Sequence, residues 1–76
     1  MIHEHDAVVL KQALPELGLE AGDVGMVVHI YRGGDAYEVE FLTLEGETVG
    51  LATLPADQVR SSNKHEIPHV RNLMAA

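Results

Sequence analysis

The sequence predicts an all-β domain, a small five-stranded barrel with a short C-terminal tail. Three observations carry that prediction. Tyr37-Glu38-Val39-Glu40-Phe41 alternates strictly between apolar and acidic residues, which is the period of a strand with one wet face. Val24 to Tyr31 is dense in β-branched residues, which pack well on a pleated surface. Turn-forming residues then divide the chain at intervals of roughly 8–12 residues, the spacing of a small barrel or sandwich. A barrel is the better expectation because closure removes the edges of the sheet.

Taken in order, Ala7-Val8-Val9-Leu10 is a short apolar run that suits a buried strand. Residues 11–23 follow as a long structured loop, since Pro15, Gly18 and Gly22 interrupt any helix there. Leu14, Leu17 and Leu19 of this loop are expected to tuck into the end of the barrel. Val24–Tyr31 is the clearest strand, and Gly25 within it signals a bulge or a close backbone approach. His29 on this strand is expected to be half-buried and structural. Arg32-Gly33-Gly34-Asp35-Ala36 is a hairpin turn, with the glycines supplying positive φ. Residues 37–41 form the third strand, a turn with Gly46 at its tip follows, and residues 48–54 form the fourth. Pro55-Ala56-Asp57-Gln58 reads as one 3₁₀ turn, and Val59-Arg60 as a last short strand. From Ser61 the composition changes. The domain is therefore expected over residues 1–60 and a tail over 61–76, with a short helix after Pro68 that places Val70, Leu73 and Met74 on one face.

Composition narrows the function. The 76 residues hold 5 Lys+Arg against 12 Asp+Glu, a net charge of −7. A nucleic-acid partner needs a cationic footprint, which this chain lacks. An acidic surface repels phosphate and anionic membranes and favours a protein partner with a basic surface. Without Cys there is no disulfide, thiol catalysis or thiolate metal site. No apolar run reaches the ~18 residues of a membrane span. No signal-peptide pattern opens the sequence, so a cytoplasmic, bacterial-type protein is expected. At about 0.05–0.15 kcal/mol per residue, such a domain is marginally stable and has little to spare for a strained catalytic site.

A longer pattern is distinctive. It runs through Val9-Leu10, Leu14-Pro15-Glu16, Gly18-Leu19 and Gly22-Asp23-Val24-Gly25, then Val27-Val28 and Tyr37-Glu38-Val39-Glu40-Phe41. It ends with Glu45-Gly46 and the stretch through Leu54 to Ala56-Asp57-Gln58-Val59-Arg60. In order and spacing this resembles the small bacterial domain-of-unknown-function family 4926, over about residues 6–60. The resemblance implies an SH3-like five-stranded barrel with residues 11–23 as its long first loop. It implies no established activity, and it suggests an accessory role, antitoxin- or immunity-like, beside a partner protein. The tail lies outside the family pattern.

Several strings invite chemistry. His65-Glu66-Ile67-Pro68-His69 spells H-E-x-x-H, which binds zinc in peptidases when it lies on a helix. Pro68 defeats that helix by removing a donor and pushing Ile67 out of the α region. His3, with the α-amine and the intervening amides, makes a square-planar nitrogen set of the kind Cu(II) and Ni(II) prefer. His3, His5, His65 and His69 would form a zinc or nickel site if the two termini met. The plainer expectation is solvated, separate histidines that take up metal adventitiously. Glu38 and Glu40 share a wet strand face, where nothing raises a pKa for acid–base work. Gly22, Gly25, Gly33 and Gly34 are turn and bulge glycines, without a phosphate-loop context.

No catalytic residue and no cofactor is expected. The expected function is a non-catalytic protein-interaction module that binds through loops 11–23 and 32–36 and the adjoining acidic face. The candidate contacts are Leu17, Leu19, Arg32, Glu38 and Glu40, with any exposed aromatic among Tyr31, Tyr37 and Phe41 as an anchor. The alternatives are a homo-oligomer assembled through residues 61–76, a metal-binding protein using the terminal histidines, and, least of all, a hydrolase.

Overall fold

The computed structural model describes residues 1–73. Five antiparallel strands form one sheet in the order β4-β3-β2-β1-β5. They are β1 (Ala7–Leu10), β2 (Val24–Tyr31), β3 (Ala36–Leu42), β4 (Thr48–Pro55) and β5 (Val59–Ser61). All-β architecture and the number and placing of the strands are as the sequence indicates. Among the described residues no helix is long and apolar enough to cross a membrane.

The sheet must roll up, because its two edges are joined by a single 3₁₀ turn, Ala56–Gln58, between β4 and β5. In a flat sheet these edges would lie four strand spacings apart, about 19 Å. The four Cα steps from Pro55 to Val59 reach about 14 Å at most. Curvature therefore brings β4 and β5 towards each other at this end. Their ladder does not close, since β4 pairs only with β3 and β5 only with β1. The expected closed cylinder is thus a rolled sheet with one open seam.

The inside of the roll is the core. Val8, Leu10, Leu19, Val27, Tyr37, Val39, Phe41, Leu54 and Val59 form one buried cluster. Their alternation along each strand follows from the two-residue period of a pleated backbone. Gly25 sits where a side chain cannot. A Cβ there would lie 2.5 Å from Val39 Cγ1 and 2.8 Å from the Phe41 ring, so these two β3 side chains pack against the β2 backbone only because this residue is glycine.

Two extra residues alter which side chains face inward. Val28 has no partner opposite it, because Val27 pairs with Val39 and His29 with the next residue, Glu38. This bulge turns His29 to the outer face, where it is exposed rather than half-buried as expected. A second irregularity lies between Phe41 and Leu42, at the start of β4.

Loop 11–23 is ordered by its own bonds. Leu14 and Leu19 exchange backbone hydrogen bonds of 2.9 and 3.1 Å. Between them Pro15–Leu17 makes a 3₁₀ turn that ends on Gly18 at φ 72°. Pro15 interrupts an α-helix but suits the first position of this short turn, where its missing N–H is not needed. Leu19 is buried, and Leu14 and Leu17 are half-buried against the core.

The tail departs from expectation. Residues 66–73 form no helix. Val70 and Leu73 are exposed, and Met74 lies outside the described residues. Ion pairs hold the tail in an irregular course. Arg60 grips Glu66 with two hydrogen bonds, of 3.0 and 2.6 Å. Farther on, Arg71 bonds both carboxylate oxygens of Asp23 and lies 3.7 Å from Glu20. A segment clasped at both ends onto the outside of the sheet gains nothing from a helical turn too short to persist alone.

Candidate docking surface

The outer face of the sheet reads as rows of side chains, because directly paired residues of neighbouring antiparallel strands point the same way. One row is Ala7-Met26-Glu40-Leu51, across β1, β2, β3 and β4. Beside it Arg60, Val9 and Val24 line up on β5, β1 and β2, and Leu42 pairs with Thr48 farther along. On the other side His29, Glu38 and Thr53 form a polar row.

The first two rows are largely apolar and open to solvent. Val24 is 52% exposed, Leu42 43% and Leu51 54%. Val24, Met26, Leu42, Ala7 and Glu40 line a shallow hollow of about 260 Å³. Scattered exposed leucines are ordinary, but apolar side chains gathered on one sheet face mark an interaction site. Val9 belongs to the same face yet is only 5% exposed and is no part of the core cluster. It lies in a second cleft, which Ile67 and Pro68 of the tail also line. The tail thus screens the β1 end of the strip and leaves the β2–β4 end open.

Carboxylates divide and border the strip. Glu40 stands in its middle and accepts a 2.8 Å hydrogen bond from the Thr48 hydroxyl. Glu38 accepts a 2.6 Å bond from Tyr31, whose ring packs edge-on to His29 with centroids 4.4 Å apart. The Glu38 carboxylate as acceptor raises the Tyr31 hydroxyl above its usual pKa. Burial pushes the Asp23 carboxyl up, but Arg71 and the Glu20 amide outweigh it and hold it below its usual value. Arg60 and the Asn63 amide hold Glu66 down at about 2.

The five contacts expected from sequence do not form one patch. Glu38 and Glu40 lie on the outer face, partly exposed. Arg32 is exposed in the β2–β3 turn at φ 50°, a left-handed position that the two following glycines extend. Leu17 packs over Gly50 of β4, its Cδ2 3.0 Å from where a Cβ would stand. Leu19 is a correction: at 5% exposure it fills the core and offers nothing to a partner. Tyr37 and Phe41 are buried as well, which leaves Tyr31 as the accessible aromatic.

The metal readings find no assembled geometry. His3, His5, His65 and His69 are all exposed, and among the described residues no three His, Asp or Glu side chains gather to hold an ion. His65-Glu66-Ile67-Pro68-His69 is not helical, so its imidazoles do not share a helix face. Glu66, the residue that would act as base, is committed to Arg60.

The residues that sequence reasoning missed are Val24, Met26, Leu42 and Leu51. A signal for Val24 and Met26 exists in β2, which is apolar at successive positions rather than alternating, the mark of a strand with two greasy faces.

Compared with known proteins, residues 4–61 match a family described as Domain of unknown function (DUF4926). No curated protein and no solved structure matches the chain.

Proposed function

The chain belongs to the DUF4926 family, and we propose that it is a non-catalytic protein-interaction module built on an SH3-like rolled sheet. The observation that carries this reading is the apolar strip on the outer face, exposed Val24, Leu42 and Leu51 with half-buried Met26, set among Glu38 and Glu40. Apolar contact area supplies affinity, and the carboxylates select the partner and steer it in. With a net charge of −7, the partner this surface fits presents apolar side chains flanked by Lys or Arg. An accessory role beside such a partner, antitoxin- or immunity-like, is the form we favour. A bacterial cytoplasm suits a chain without cysteine, which depends on no disulfide.

The test is capture of a partner from the native host at low salt, with wild type and Leu42→Lys in parallel. Leu42 is exposed, so the variant keeps its fold, verified by its circular dichroism. The proposal expects one protein retained by wild type, released by salt, and lost with Leu42→Lys. Equal retention by both chains, with no salt dependence, overturns it.

A further inference from the structure

We infer that the partner binds as an added β-strand along the free edge of β4, as an extended segment with alternating cationic side chains. This rests on the interaction reading above and specifies its geometry.

A sheet edge is a row of unpaired N–H and C=O groups, and proteins normally guard it with charge, proline, a bulge or brevity. β4 is 8 residues long, Thr48 to Pro55, and contains no charged side chain. Its protection is confined to its ends, with the irregularity opposite Phe41/Leu42 at one and Pro55 at the other. Every second residue of an edge strand turns its backbone away from its neighbour. Among the described residues, no backbone hydrogen bond outside the β3 ladder takes up the N–H or C=O groups of Thr48–Pro55. The stretch between the ends is therefore an open template for another chain.

Both sides of that template have side chains ready for an incoming strand. On the inner side Leu17 stands half-buried over Gly50 and would cover small apolar residues of the added strand. On the outer side Leu51 and Thr53 are exposed, and their β3 partners are Glu40 and Glu38. A strand beyond β4 would lie two spacings from these carboxylates, roughly 10 Å, within reach of extended Lys or Arg side chains across Leu51. The same charges argue against a second copy of this chain, because pairing β4 with β4 brings two acidic molecules and their carboxylates together.

The probe is a synthetic peptide of about ten residues alternating lysine and valine, a strand-length segment, added to the isotope-labelled full chain and followed by amide NMR. The expected result is protection from hydrogen exchange at Leu51–Leu54, weakened by salt, absent with a glutamate–valine peptide, and reduced about tenfold in affinity by Thr53→Lys. Thr53 is exposed, so this variant does not disturb the core. If the lysine peptide perturbs Val24, Met26 and Leu42 but protects nothing on β4, strand addition is wrong and the interaction reading stands. If it perturbs neither, both fall. A dimer by light scattering that Leu51→Lys dissociates would make the second copy the occupant and overturn the inference.

Discussion

β4 and β5 are the two edges of one sheet, and they are finished in different ways. β5 is 3 residues long, carries Arg60, and leads directly into a turn that fastens Glu66 back onto that arginine. β4 is 8 residues long and uncharged, and among the described residues no backbone hydrogen bond outside the β3 ladder reaches it. Curvature cannot explain the contrast, because both edges border the same seam. The difference teaches that this chain keeps one edge short and charged and protects the other only at its ends. On the strand-addition proposal, the open middle of β4 is where the partner binds.

That contrast breaks first if β4 is loosely held. It should not be, because its inner side is core. Leu54→Ala is expected to cost about 2–5 kcal/mol, read as a lowered denaturant midpoint, since Leu54 is 4% exposed. A smaller loss would mean that the edge is mobile and its openness incidental. Gly25→Ala sharpens the comparison from the centre of the roll. It should cost about 1–3 kcal/mol, because the added methyl meets Val39 and Phe41. A neutral result would show that the core has slack to absorb it.

The guarded edge has a pH signature. Glu66 carries a lowered pKa of about 2 against an ordinary 4.5. A carboxylate depressed on folding adds stability that is whole above its unfolded pKa and is lost as pH falls towards the folded one. The clasp should therefore hold at neutral pH and loosen as acid is added below 4.5. The Asn63 amide, which donates to Glu66, reports this directly: its NMR shift should titrate near 2. A midpoint near 4.5 would show that the clasp does not form. The smallest effect belongs to the open edge itself. Leu51→Ala should change stability by no more than about 0.5 kcal/mol, because the side chain is 54% exposed. A larger loss would mean that Leu51 packs against this chain and not a partner.

Much of the fold was legible because the strands announce themselves locally. Tyr37, Val39 and Phe41 alternate with two glutamates, and Gly33, Gly34 and Gly46 mark the turns at positive φ. What failed to show was non-local or depended on one unpaired residue. Val28 bulges and carries His29 from the inner to the outer face, an event invisible in an unbroken apolar run. Leu19 looked like a loop leucine free for contact, yet its mutual backbone bonds with Leu14 fold it into the core. The tail was expected to be helical from its spacing, but Arg71 finds Asp23, 48 positions away, and no local pattern encodes that pairing. Glu38 and Glu40 were placed correctly on the wet face. The apolar strip beside them emerges only once the register sets Met26 and Leu51 on either side of Glu40.

The 3₁₀ turn Ala56–Gln58 has a final consequence. As the one covalent tie across the seam, it works like a buckle whose length sets the girth of the roll. Glycines spliced in there would let the sheet relax outward without touching a core residue. The bore of this small protein, and the spacing of whatever sits along its open lip, is therefore adjustable through three residues that make no contribution to the buried cluster beyond the half-covered Ala56.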